Sequence, residues 1–216
     1  MPHLVSPIYL ITDRHQTGGC PLLEVIEQAL AAGVRTVQLR EPDLPARRLL
    51  DLAQALRDLT ARHGAALLIN DRVDVALAVQ ADGVHLRAGS MPISVARRLM
   101  GPDRLIGVST HAVADVVRAE EEGADFVVLG PVYETPSKRV YGAPIGLGAV
   151  KEATARCRIP ILAIGGVKRE RVEELRRAGA SGAAVISAIL SAASVGEAAG
   201  SLLDAWRRAE CSVVRS

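Results

Sequence analysis

The sequence predicts an α/β protein, a (β/α)8 TIM barrel formed by one domain over residues 1–216. Three observations point there. Short apolar runs alternate with amphipathic stretches from end to end, eight of each. The apolar runs are continuous rather than alternating, as expected for parallel strands buried on both faces. No long polar linker interrupts the beat, and a single unit of 216 residues buries roughly 70% of its unfolded surface, enough for a large core. A doubly wound open sheet is the alternative architecture, but no Gly-x-Gly-x-x-Gly opens the first helix.

The elements follow in order. A strand at 8–12 precedes a helix over 21–32, opened by Pro21, whose missing N–H is harmless there. A strand at 36–40 leads to a helix over 45–63, opened by Pro45. The strand at 66–70 pairs with a helix over 73–80, and the strand at 83–86 with one over 94–100. Strands at 105–109 and 126–130 are followed by helices over 113–122 and 147–157. The last two units are a strand at 161–165 with a helix over 169–178, and a strand at 183–187 with a helix over 194–209. Ala32-Gly33-Val34, Ala81-Asp82-Gly83, Gly123-Ala124-Asp125 and Ala178-Gly179-Ala180 recur between helix and strand, where glycine permits a tight exit from the helix.

Composition narrows the function. The formal net charge is +2 and the basic residues are scattered, which argues against a nucleic-acid partner. Aromatic residues make up 2% of the chain, too few to stack single-stranded bases. No apolar run reaches the ~20 residues of a membrane span, and Met1-Pro2-His3-Leu4-Val5 lacks the layout of a secretory signal. Cys20, Cys157 and Cys211 share no metal or redox spacing, so a reduced, cytoplasmic setting is expected. Leu202, Leu203 and Trp206 on the last helix suit either the core or the interface of a homo-oligomer.

In a barrel of this type the chemistry belongs at the C-terminal strand ends. Those ends carry Asp13, Gln38, Arg40, Asn70, Asp71, His85, Ser109, His111, Gly165, Gly166, Ile186 and Ser187, a polar ring on an apolar scaffold. The glycines at 165 and 166, with Ile186 and Ser187, predict a phosphate site, because converging backbone N–H groups and a helix start attract anions. The segment 130–139 is long, polar and glycine-bounded, and its Thr135, Ser137 and Lys138 can bind anionic oxygens. Such a segment over a barrel mouth is expected to act as a lid. His111 can give and take a proton near neutral pH. Asp71 suits either a metal ion or the cap of the next helix, and His85 is expected to be structural.

These motifs together resemble the thiamine-phosphate synthase superfamily, which includes the thiazole tautomerases. The resemblance runs from Tyr9-Leu10-Ile11-Thr12-Asp13 to Ala184-Val185-Ile186-Ser187-Ala188-Ile189. It rests on Val37-Gln38-Leu39-Arg40-Glu41, Ile69-Asn70-Asp71-Arg72, Ala81-Asp82-Gly83-Val84-His85-Leu86, Gly107-Val108-Ser109-Thr110-His111, Leu129-Gly130-Pro131-Val132-Tyr133-Glu134-Thr135 and Ile164-Gly165-Gly166. It implies a phosphorylated thiazole as the small-molecule partner. Synthases join a hydroxymethylpyrimidine diphosphate to a thiazole phosphate and use Mg²⁺; the resemblance implies a Lys where this chain has Pro42, and a second metal-binding Asp where it has Ser90. Tautomerases move one proton within a carboxylated dihydrothiazole phosphate, with no cofactor, and the resemblance makes His111 the acid/base. The two missing charges favour the tautomerase, an isomerase; the synthase, a transferase with Asp71 on the metal, is the alternative. A non-catalytic barrel that binds a thiamin-related phosphate is the third expectation.

Overall fold

The computed structural model describes residues 6–135 and 143–213. Eight parallel strands close into a barrel in sequence order: β1 Ile8–Ile11, β2 Thr36–Leu39, β3 Ala66–Asn70, β4 Gly83–Leu86, β5 Leu105–Thr110, β6 Phe126–Leu129, β7 Ile161–Ile164 and β8 Gly182–Val185. The ring shuts where β8 pairs with β1, with Tyr9 opposite Ala184. The predicted barrel is the observed one.

The helices are α1 Leu22–Ala31, α2 Ala46–Arg62, α3 Val73–Ala78, α4 Ile93–Met100, α5 Val113–Glu121, α6 Gly146–Arg156, α7 Val172–Arg177, α8 Ser187–Leu190 and α9 Val195–Val213. Pro21 and Pro45 stand one position outside their helices, in extended backbone, as does Pro92 before α4. The predicted helix over 169–178 divides into a 3-10 turn, Arg169–Arg171, and α7. Helix α8 was hidden because its four residues continue the apolar run of β8. Leu202, Leu203 and Trp206 are core residues, at 4%, 3% and 0% exposure.

Two apolar compartments hold the fold together. Tyr9, Ile11, Leu68, Leu105, Phe126, Val128, Leu162 and Ala184 fill the barrel, and a larger cluster packs the outward strand faces against the helices. Gly83 serves close packing rather than the helix exit, where Gln80 takes the positive φ of 52°. A Cβ at Gly83 would lie 2.3 Å from the Leu105 carbonyl oxygen.

A recurrent clamp pins the N-terminal ends of the strands. Asp82, just before β4, accepts the Leu67 N–H of β3 at 2.8 Å and the Arg57 guanidinium of α2 at 2.5 Å. Asp125, just before β6, accepts the Ile106 N–H of β5 at 2.6 Å and Arg97 of α4 at 2.5 Å. Ser181 before β8 receives the Ile161 N–H of β7 at 3.4 Å. The bonds to Asp82 and Asp125 are charge-assisted and stronger than the neutral one to Ser181, and all lie at the end of the barrel away from its mouth.

Candidate active site

The strand ends bring together most of the predicted ring. Gln38 at the end of β2 is 1% exposed, turns into the barrel and donates from Nε2 to the Tyr9 hydroxyl at 3.0 Å. Arg40 follows, half-buried, its backbone N–H held by Thr12 Oγ1 at 2.9 Å. Its guanidinium has no hydrogen bond or ion pair to another described residue, yet its charge reaches His85. The next acid, Glu41, is buried beneath Arg14, whose backbone and side chain both donate to it, and Arg14 also binds Asp43. That bracket joins the loops after β1 and β2, and nothing in the predicted ring anticipated it.

Asn70 ends β3, and Asp71 turns sharply with φ of 64°. The capping role does not hold, since Arg72 is the N-cap and receives no side-chain bond. Instead, Ser90 donates to one Asp71 oxygen and Arg87 to the other, with the Arg87 Nε at 2.9 Å. Partial burial raises the Asp71 carboxyl, but the bonds from Ser90 and Arg87 outweigh it and hold the group below its ordinary range. A groove of about 250 Å³ runs from this cluster down between α4 and α5, lined by Arg87, Ser90, Ile93, Ser109, Asp115 and Arg118 among others.

His85 on β4 is fully enclosed. Its Nδ1 faces the Tyr9 hydroxyl at 3.4 Å and its Nε2 faces Ser109 Oγ at 3.0 Å. Burial, then the Arg40 charge, lowers its pKa to about 3, against a smaller raising effect of Asp71. Between about pH 3 and the ordinary value of 6.5 the unfolded chain therefore binds a proton that the native chain refuses. Stability should fall as pH drops through that window, by on the order of 1 kcal/mol per pH unit from this group. Urea titrations from pH 7 to pH 4 should show a shallower loss for His85→Gln than for the parent. Equal slopes would show that His85 is not held neutral.

His111 is exposed, and its Nδ1 lies 2.7 Å from the Gly130 carbonyl oxygen. A ring nitrogen facing a carbonyl must carry the hydrogen, which leaves Nε2 as the acceptor of the neutral ring. Gly165 and Gly166 follow β7 with φ of 94° and 64°. The Gly165 carbonyl accepts the Tyr133 N–H at 3.1 Å, and the Gly166 carbonyl accepts Arg171 Nη1 at 2.6 Å. Arg171 also lies 4.2 Å above the Tyr133 ring, whose hydroxyl donates to Glu174 at 2.6 Å. With both carbonyls engaged, the glycine turn is fixed. Ile186 precedes α8 and Ser187 begins it, so the first N–H groups of α8 face the same end of the barrel. Thr135 is half-buried at the root of the predicted lid; Ser137 and Lys138 lie outside the described residues.

The ring thus has two candidate anion-binding sides. Arg40 and Arg87 follow β2 and β4, with Asp71 after β3 as the acidic partner of Arg87, whereas the glycine turn and Ser187 follow β7 and β8, across the closed barrel. Among the described residues no three His, Cys, Asp or Glu converge as a metal cluster, and no helix is long and apolar enough to cross a membrane.

Comparison with known proteins identifies the family. A family described as thiamine monophosphate synthase matches residues 8–189. A Geobacter sulfurreducens protein, provisionally named thiamine-phosphate synthase, is 58% identical over 85% of this chain and 86% of its own. The thiamine-phosphate synthase of Moorella thermoacetica is 42% identical over 94% and 96%. The solved structure of thiamine phosphate pyrophosphorylase from Pyrococcus furiosus superposes with a TM-score of 0.86 at 35% identity, covering 94% and 96% of the two chains. These relatives overturn the expected tautomerase, and with it the isomerase assignment. The expectation failed by counting charges at single positions: Ser90 does not leave Asp71 alone but joins it, and Arg87 pairs with it.

Proposed function

The chain belongs to the thiamine monophosphate synthase family, and from that premise we propose that it is a thiamine-phosphate synthase, a transferase joining a hydroxymethylpyrimidine diphosphate to a thiazole phosphate. The observation that carries this is the pair of candidate anion-binding sides on one mouth. A one-substrate proton transfer needs one phosphate anchor, whereas joining two phosphorylated substrates needs two.

The bond between the pyrimidine methylene carbon and the diphosphate oxygen breaks, and its electron pair leaves with the diphosphate. The thiazole nitrogen then supplies the pair for the new carbon–nitrogen bond. Arg40 and Arg87 face the side where negative charge builds on the leaving oxygens, and prepositioned cations in a partly dry site stabilise that charge strongly. The glycine turn and Ser187 hold the thiazole phosphate by backbone N–H groups. We assign Gln38, Asn70 and Ser109 to the floor of the mouth and Thr135, Ser137 and Lys138 to the segment covering it. No carbon-bound proton moves in this reaction, so His111 braces the Gly130 carbonyl at the base of that segment.

The family implies Mg²⁺, and the donors suit an ion shared with a diphosphate. Asp71 is ionised and would hold it, and magnesium commonly takes one or two carboxylates together with substrate phosphates. When bound, the ion supplies counter-charge to the diphosphate. The free thiols of Cys20 and Cys157 fit a reducing, cytoplasmic setting.

The purified chain, given both substrates and Mg²⁺, should release diphosphate and thiamin phosphate in equal amounts, and a chelator should abolish both. No product from the two substrates would overturn the assignment. Unchanged turnover in excess chelator would remove the metal from it.

A further inference from the structure

Tyr9 and His85, enclosed beneath the mouth, have no direct part in the chemistry above, but the hydrogen bonds they make have a direction. We propose that Gln38, Tyr9 and His85 form a one-way relay that commits the Ser109 hydroxyl to donate into the mouth, toward an anionic oxygen of the diphosphate substrate. Tyr9 and His85 are then positioning residues; the identity of the diphosphate rests on the synthase proposal, while the direction of the relay does not.

The direction follows from proton counting. Gln38 gives an Nε2 hydrogen to the Tyr9 oxygen at 3.0 Å, so the phenol proton is free to face onward. It faces His85 Nδ1 at 3.4 Å, and in the proposed order that nitrogen accepts it. A neutral imidazole has one N–H, here on Nε2, directed at Ser109 Oγ 3.0 Å away. Ser109 has one proton of its own. Because its oxygen accepts from within, that proton is available to the mouth, where Ser109 stands half-buried beside the C-terminal end of β5.

The rings cannot easily turn to reverse this order. Tyr9 and His85 lie 5.7 Å apart by ring centroids, and Phe126 stands edge-on to Tyr9 at 5.6 Å and 5.9 Å from His85. The space they occupy is kept open by Gly107. A Cβ there would lie 2.3 Å from Phe126 Cζ and 2.7 Å from His85 Nδ1. Both rings are shut off from water, which disfavours a charge on either. The relay therefore orients a proton and does not pass one on.

Nitrogen-15 NMR of the full chain at pH 7 tests the direction without substrate, with His85→Gln identifying the His85 signals. The expected result is a protonated Nε2 and a bare Nδ1, shifting toward a mixture in Tyr9→Phe. A protonated Nδ1, or an imidazolium, would overturn the relay. Kinetics test its consequence. Ser109→Ala should lower kcat about 10- to 100-fold, the worth of one hydrogen bond to a charged group, and Tyr9→Phe severalfold. If Tyr9 acts through Ser109, the double variant should be no slower than Ser109→Ala alone. Additive losses would overturn the positioning role. A parent chain without synthase turnover would defeat the proposed function, while the NMR result would still decide the relay.

Discussion

Arg40→Ala is expected to lower synthase turnover by about 100-fold or more while the barrel stays folded. Removing one preorganised donor to a developing oxyanion typically costs 100- to 1,000-fold, and Arg40 has the features of such a donor. Its guanidinium is half-buried at the mouth and bonds no other described residue, so its deletion leaves no orphaned partner to destabilise the fold. Its charge is also one of the causes that lower the His85 pKa. The variant should therefore raise that pKa, an effect readable by NMR without any substrate. Arg40→Lys keeps the charge but loses the planar fork, so recovery should be partial. Turnover near the parent's in Arg40→Ala would move the leaving-group site elsewhere. Measuring kcat at saturating concentrations of both substrates separates this from weaker binding.

Gly166→Asp is expected to weaken thiazole phosphate binding by about 100-fold or more, which corresponds to roughly 2.7 kcal/mol. Two effects combine. A Cβ at this position would lie 2.8 Å from the Glu134 carbonyl oxygen and 2.9 Å from Arg171 Nη1, at a φ of 64° that L-residues rarely adopt. The carboxylate would also add a negative charge beside the proposed phosphate site. Gly166→Ala carries the steric effect alone, so the excess loss in the aspartate variant measures the charge. Calorimetric titration with thiazole phosphate, with circular dichroism to verify the fold, decides the matter. Equal affinity in parent and Gly166→Asp would place the phosphate away from this turn.

Strand order and strand ends were legible because strands buried on both faces leave continuous apolar runs, and eight such runs have few ways to close. Gly165 and Gly166 were legible for a related reason: a paired glycine after a strand has a local geometric cause. What sequence could not supply was the partner of each charge. Asp71 meets residues 16 and 19 positions away, Arg87 and Ser90, and no periodicity announces a contact between two loops. Counting an aspartate as missing at position 90 therefore undercounted the site and favoured the wrong reaction. His85 was expected to be structural; it is enclosed, but its two nitrogens join the interior to Ser109. Arg14, Glu41 and Asp43 escaped notice because their bracket links two separate loops, those after β1 and β2.

The clamps at the far end of the barrel bear on how such a protein can be recombined. Each is contiguous, one running from Arg57 to Asp82 and the next from Arg97 to Asp125, and each ties a helix to the two strands that follow it. A crossover between Ser90 and Arg97 leaves both intact and keeps Asp71 with Arg87 and Ser90, whereas a crossover inside either span pairs an arginine from one parent with an aspartate from the other. The chain is thus divided into inheritable modules whose seams open toward the mouth. Chimeras joined at those seams exchange substrate-facing loops as blocks, and the anchoring of the strands travels with each block unchanged.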